Sequence, residues 1–269
     1  MDEKISFLDV LSKQCDLEKS LAFGKPYCYK GITFYPVGLE YLIEFYTCVG
    51  VLMVKKERSK DRKLIKLPYM WFLFYAFENY EAYGNAEYAM YVPLLFALLE
   101  MVTKTNDFNL EIERKDNGDY TKCSLFINGV EINYKDFMEI RQVIFEQAGI
   151  EYSDEFINED TEKAMNMGRV YEQQQDGYIP PNLENLIDVL SMYLHKGVDE
   201  LAKILTIRKF NNLIRYISSF EDWKLLRGAE LGGFVTFNKS VSHWIAGFEE
   251  HDLFKGENTD YHNSNLFKV

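Results

Sequence analysis

Apolar residues recur at helical spacing along most of the chain. Ile5 to Leu21 places Ile5, Leu8, Leu11 and Cys15 near one face and predicts a short amphipathic helix. Gly24-Lys25-Pro26 turns the chain, and the aromatic and β-branched run Tyr27 to Tyr35 around Gly31 predicts a small hairpin that Pro36 ends. Leu39 to Val54 reads as one helix with Leu39, Leu42, Ile43 and Tyr46 on its inward side. Lys55 to Lys66 reads as a loop or an exposed helix end. Pro68 suits the start of the next helix, where a missing N–H costs little. Tyr69 to Thr103 is strongly apolar and predicts two helices divided near Tyr83-Gly84-Asn85, with a kink or fresh start at Pro93.

The period changes after Asp107. Phe108 to Arg114, Tyr120 to Ile127 and Val130 to Ile132 alternate like strands, and Asp116-Asn117-Gly118 and Asn128-Gly129 can supply the positive φ that hairpin turns need. A three-stranded antiparallel meander follows. Asn133 then caps a helix with Phe137, Ile140, Ile144 and Ala148 inward, and Gly149 ends it. Glu151 to Gln175, acidic and Gln-rich with little apolar content, reads as an exposed helix or a linker. Beyond Pro180-Pro181, Asn182 can cap a helix with Leu183, Leu186, Ile187, Leu190 and Leu194 on one face, and Gly197 can close it. Thr206 begins a second face through Ile207, Phe210, Ile214 and Ile217. Ser219 with Asp222 reads as a weak capping box that starts a third helix through Trp223, Leu226 and Leu231. Gly232-Gly233 stops it, Phe234 to Phe237 reads as a short strand, and His243-Trp244-Ile245 starts a last apolar turn.

These elements predict an α+β fold, predominantly helical. The expected division is a helical region with the small antiparallel sheet (about 108–132) over residues 1–150, an acidic linker or exposed helix at 151–179, a helical C-terminal domain at 180–255 and a loose tail at 256–269.

At 269 residues the chain can bury a substantial core, and an aromatic share of 16% favours either a filled interior or an adhesive interface. A net charge of −12 weighs against general nucleic-acid binding, which draws on basic surface. The charge is uneven. Lys55 to Lys66 holds seven basic residues against Glu57 and Asp61, whereas Glu151 to Asp176 holds eight acidic residues against Lys163 and Arg169. Either both are solvated faces, or one docks a partner of opposite charge. The candidate partner-binding residues are Lys55, Lys56, Arg58, Arg62 and Lys63 on the basic side and Glu155, Glu159 and Asp160 on the acidic side.

Cys15, Cys28, Cys48 and Cys123 form no close C-x-x-C pair, and the acidic start Met1-Asp2-Glu3-Lys4 leads into no apolar signal region, so a reducing cytoplasm is the expected compartment. Leu39 to Val54 contains Glu40 and Glu44, and Tyr69 to Met101 contains Glu78, Glu81, Glu87 and Glu100. Neither gives the uninterrupted apolar span of about 20 residues that a bilayer requires, and both read as core helices.

The sequence carries no Walker loop, dinucleotide fingerprint, H-E-x-x-H or G-x-S-x-G elbow. The Gly-rich stretch Gly228 to Gly233 follows a helix, so close packing and a C-cap explain it better than phosphate binding. His243 and His251 lie near Glu249, Glu250 and Asp252, and His262 follows Asp260, without the spacing of a compact metal site. His195, at a helix C-terminus, needs only a structural role. Thr206 to Leu231 can be read as a helix-turn-helix jointed at Ser218-Ser219, but Glu221, Asp222 and Glu230 offset Lys224 and Arg227 on its second helix. The expectation is therefore a non-enzyme without metal or cofactor.

Lys25-Pro26, then Ile32-Thr33-Phe34-Tyr35-Pro36-Val37 leading into a helix, resembles the opening of a group of tailed-phage proteins from Gram-positive hosts. Phe137-Met138-Glu139-Ile140-Arg141 through Glu146-Gln147-Ala148-Gly149-Ile150 resembles their middle helix. Leu205-Thr206-Ile207-Arg208-Lys209-Phe210, with Ala229-Glu230-Leu231-Gly232-Gly233 and His243-Trp244, resembles their end. The resemblance implies a tail-morphogenesis role: a tail assembly chaperone binding other tail proteins such as the tape measure, or a structural component of the tail or baseplate. A nucleic-acid-binding phage regulator is the alternative from another class. The implied location is the host cytoplasm, or the virion for a structural component. The matching positions are packing residues, so no functional residue is carried over.

Overall fold

The computed structural model describes residues 7–59, 61–116, 118, 120–153, 161, 167 and 182–232. Two compact units divide the chain, Met1–Phe210 and Asn211–Val269. The first contains α1 (Phe7–Phe23), the hairpin β1 (Tyr27–Tyr29) and β2 (Ile32–Phe34), α2 (Leu42–Val49), α3 (Arg62–Lys66), α4 (Tyr69–Glu78), α5 (Tyr80–Tyr83) and α6 (Tyr91–Thr103). It continues with β3 (Phe108–Arg114), β4 (Tyr120–Ile127), β5 (Val130–Ile132), α7 (Tyr134–Ala148), α8 (Leu183–Leu194) and α9 (Val198–Ile204). The fold is α+β and predominantly helical, as the periodicity predicts.

Both small sheets are antiparallel, with strand orders β1-β2 and β3-β4-β5. Their turns follow local chemistry. Lys30 and Gly31 have φ of 50° and 83°, and Asn128 and Gly129 have φ of 50° and 73°, the doubly positive pattern of a tight two-residue hairpin turn. In the larger sheet Leu110 opposes Leu125, which in turn opposes Ile132, so one face is continuously apolar across the strands. That face meets the helices through Phe96 stacked on Phe108 (centroids 5.4 Å apart) and through Trp71 and Tyr75 against Tyr120. The Trp71 indole N–H donates to the Cys123 carbonyl at 3.1 Å.

The core is centred on α4 and α6. Met70, Leu73, Ala76, Leu95 and Leu98 are fully buried there, joined by Phe34 and Phe45 from the earlier elements and by Phe137 and Ile144 from α7. The stretch Ala86–Thr103 is long and apolar enough to cross a bilayer by length and composition. In the fold it is a 3-10 turn followed by α6, whose Tyr91, Val92, Leu95, Leu98, Leu99 and Val102 are buried against the rest of the unit.

α7 starts at a full capping box. The Asn133 side chain accepts from the N–H groups of Lys135 and Asp136, and the Asp136 carboxylate accepts from the Asn133 N–H at 3.2 Å. Asp136 also pairs with Lys30 at 2.6 Å and accepts from the Tyr29 hydroxyl at 3.3 Å, which ties the helix to the first hairpin. Asn133→Ala is expected to lower unfolding stability by about 1 kcal/mol, the usual cost of an N-cap, read as a reduced urea midpoint at unchanged slope.

Other sequence expectations change. Leu39 to Val54 is not one helix: 3-10 turns at Leu39–Tyr41 and Gly50–Met53 flank α2. Its buried positions are Phe45, Cys48 and Val49, while Ile43 is 67% exposed and Tyr46 42%. The 3-10 entry rotates the helix away from the face that one continuous α-helical period would give. The predicted break at Ser218-Ser219 is absent, because α10 (Ile207–Leu231) runs through it. Serine is tolerated in a helix interior, and with no joint there is no helix-turn-helix. Finally, Gly228 lies inside α10, and among the described residues nothing comes within 4 Å of a Cβ built there.

The helices from Leu183 to Ile204 fall within the first compact unit, whereas the sequence reading groups them with the C-terminal block. Residues 37–39 hold this region through Leu39 N–H to Leu205 O (2.8 Å) and Ile207 N–H to Val37 O (3.0 Å). On α8 only Leu190 of the predicted face is fully buried; Leu183, Leu186, Ile187 and Leu194 are half-buried. In the second unit, Phe220 stacks on Trp223 and Lys224 pairs with Glu221 along α10. The expected strand Phe234 to Phe237, His243, His251, His262 and the tail at 256–269 lie outside the described residues. So do Ile5 and the side chains of Leu8 and Leu11 on the predicted face of α1, whose Cys15 is half-buried.

Candidate functional site

A cleft of about 480 Å³ opens where the basic run meets α7. Residues 54–57 form one wall and Lys66, Leu67, Pro68 and Tyr69 at the α3–α4 junction form another. Tyr134, Met138 and Arg141 supply the α7 side, spaced to share one helix face. Tyr152, just beyond α7, completes it.

Arg141 is the structural centre of this cleft, 3% exposed although it carries a permanent charge. Its Nε donates to the Leu52 carbonyl at 2.7 Å, and its guanidinium carbon lies 4.4 Å from the Tyr69 ring centroid, 4.7 Å from Tyr152 and 5.3 Å from Phe145. The flanking carbonyls are served the same way: the Tyr69 hydroxyl donates to Val51 O and the Tyr152 hydroxyl to Met53 O, both at 2.9 Å. Consecutive carbonyls at the end of a 3-10 turn thus receive donors from α4, α7 and the segment after α7. Such terminal carbonyls have no intrahelical partner and carry partial negative charge, which suits a buried guanidinium.

Lys56 does the same for α3, donating to Ile65 O at 3.0 Å and Leu67 O at 2.7 Å. Of the basic candidates, Lys55 and Lys56 line the cleft and are half-buried. Arg58 and Arg62 are exposed and are not part of its lining. Lys63 is turned elsewhere, with its ammonium 4.5 Å above the Tyr75 ring. Glu155, Glu159 and Asp160 lie outside the described residues. The cleft residues that sequence reasoning missed are Tyr69, Tyr134, Met138, Arg141 and Tyr152, together with Lys66 of the basic run. One signal was visible: Arg141 stands inside the apolar stripe Phe137, Ile144 and Ala148, where a charge requires a partner.

A second polar group sits where α4 meets the sheet. Glu78 accepts from the Tyr120 hydroxyl and pairs with Arg114. Burial first, and then the Glu78 hydrogen bond and charge, push the Tyr120 phenol up. Burial likewise pushes the Cys123 thiol up to about 12, with the Glu78 charge adding to it. A thiol held in that state is a core residue and a poor nucleophile at neutral pH. Among the described residues no group of three or more His, Cys, Asp or Glu is placed to hold a metal ion.

Comparison with known proteins found no matching family model, no similar curated protein and no similar solved structure.

Proposed function

We propose that the protein is a non-enzymatic phage tail-assembly protein that holds another apolar, helical tail protein, in the manner of a chaperone. The observation that carries this reading is the apolar surface on adjoining elements of the first unit. Tyr41 (51% exposed) and Ile43 stand on the Leu39–Tyr41 turn and α2, and Met192 (74%), Val198 and Ile204 on α8 and α9. The turn packs against α9, and α9 against α8. Exposed apolar side chains on elements that pack against one another suit a protein interface. The packing-residue resemblance to tail-morphogenesis proteins supplies the biological setting, with the host cytoplasm as the place of action.

Tagged protein captured from infected cells, beside mass spectrometry of purified virions, tests the reading. Capture of tape-measure or other tail proteins, with absence from mature particles, is the expected result. Stoichiometric presence in particles would make the protein a virion component, and capture of no tail protein would end the assembly reading. Ile43→Ser and Met192→Ser are expected to change unfolding stability by less than about 0.5 kcal/mol, as surface positions do, while reducing that capture.

A further inference from the structure

Going beyond that reading, we propose that the open edge of β3 binds an extended segment of a partner protein, in which apolar residues alternate with Lys or Arg, as a further strand of the larger sheet. The strand order β3-β4-β5 leaves β3 paired on one side, and among the described residues no other strand pairs with it. The aim of its backbone groups follows from the turn on the far side of the sheet. Ile127 and Val130 close that two-residue turn and exchange both of their hydrogen bonds, so Ile127, Leu125 and Cys123 point toward the β5 side. The Cys123 carbonyl, beyond the end of β5, accordingly accepts from Trp71, and α4 covers the sheet there. Phe126, Ser124 and Lys122 point the other way, to Asn109, Glu111 and Glu113 of β3. Leu110 and Ile112 therefore turn their N–H and C=O groups outward. Asn109 Oδ1 takes the Leu110 N–H at 2.9 Å. Among the described residues the Ile112 N–H and the Leu110 and Ile112 carbonyls have no partner. An edge left in this state is a template for another strand.

Charge selects the occupant. Alternation places Asn109, Glu111 and Glu113 on the exposed side of β3, and Phe108, Leu110 and Ile112, half-buried, on the apolar side. Lys122 lies 2.9 Å from Glu111 and 3.6 Å from Glu131, and Glu113 is a third carboxylate around that one ammonium, so the exposed face is acidic up to the edge. A second copy of β3 does not suit it. Antiparallel pairing about Glu111 sets that residue against itself, pairing about Ile112 sets Glu111 against Glu113, and pairing about Leu110 sets Glu113 against Asp107. A strand with Lys or Arg at alternate positions instead brings cations opposite Glu111 and Glu113 and apolar side chains opposite Leu110 and Ile112.

Fluorescence anisotropy with the full chain tests this, the probe being a short fluorescein-labelled peptide of alternating Val and Lys. Saturable binding is expected, with the same peptide carrying Glu for Lys bound at least about tenfold more weakly. The pairing also fixes which amides of the peptide face β3. Residues opposite Leu110 and Ile112 exchange backbone hydrogen bonds with them, and these are the Val positions. N-methylation of the Val amides is therefore expected to abolish binding, whereas N-methylation of the Lys amides leaves it within about threefold. Glu113→Lys should weaken binding about fivefold. Asn109→Ala, which frees the Leu110 N–H for the incoming strand, should tighten it about threefold. Parent-like melting curves of both variants would show that the fold is retained. Absence of binding, equal binding of the Glu peptide, equal effects of the two methylation patterns or parent-like affinity of folded Glu113→Lys would overturn the assignment. Concentration-dependent self-association of the chain without peptide binding would overturn it in favour of a second copy on this edge. Capture of tail proteins from cells bears on the tail-assembly reading alone and leaves these outcomes unchanged.

Discussion

Arg141→Ala is expected to lower unfolding stability by about 4 kcal/mol, a large part of what a domain of ordinary stability possesses. The change leaves the Leu52 carbonyl without the donor that now reaches it at 2.7 Å, and empties the space among Tyr69, Phe145 and Tyr152. An unsatisfied buried carbonyl costs about 1–3 kcal/mol, and desolvated cation–ring contacts add up to roughly 2 kcal/mol each. Arg141→Lys keeps the charge without the planar fork that can donate to a carbonyl and lie on aromatic faces together, so it is expected to recover only about half of the loss. Urea unfolding at neutral pH reads both values. An Arg141→Ala variant within about 1 kcal/mol of the parent would show that the cleft wall does not depend on this residue.

Alkaline pH above about 9 is expected to destabilise the protein progressively. Tyr29, Tyr91 and Tyr120 are held above the ordinary phenol range mainly by burial, Tyr83 is raised to about 12 by burial and then by the Asp61 charge, and Cys123 is raised to about 12. Each group binds its proton more tightly folded than unfolded. The stability it contributes is therefore complete below its unfolded pKa, near 9 for Cys123 and 10 for the tyrosines, and is lost as pH rises toward its folded value. A fully coupled group loses about 1.4 kcal/mol per pH unit across its window. The urea midpoint is thus expected to fall steadily above pH 9, with phenolate absorbance from the buried tyrosines appearing together with unfolding. Tyr120→Phe removes one of these groups, so it should lose less stability than the parent between neutral and strongly alkaline pH. An identical pH dependence would remove Tyr120 from the account. Cys123 should also resist alkylating reagents at mildly alkaline pH until the protein is denatured.

Much of the fold was legible from local chemistry. Asn128-Gly129 turns the chain because both residues accept positive φ, the strands around it alternate because one face packs inward, and Asn133 and Gly149 cap and close α7 through groups a few residues away. The helix through Ser218-Ser219 was misread for the same reason that the meander was read correctly: serine can cap or continue a helix, and its local sequence does not decide which. The face of α2 was misjudged because a preceding 3-10 turn, invisible in the apolar spacing, sets its rotation.

The cleft is a different kind of feature. Lys55 and Lys56 announced themselves as part of a charge run, but the sequence had no means of separating them from Arg58, Arg62 and Lys63, which lie next to them in the chain and do not line the site. What separates them is contact between segments far apart in sequence. Leu52 meets Arg141, Met53 meets Tyr152, and Val51 meets Tyr69. By itself the sequence determined which stretches become helix or strand and where they turn, because periodicity and capping act over a few residues. Only the tertiary structure decided which charges converge and which apolar side chains stay exposed, because burial and charge pairing depend on how distant segments pack.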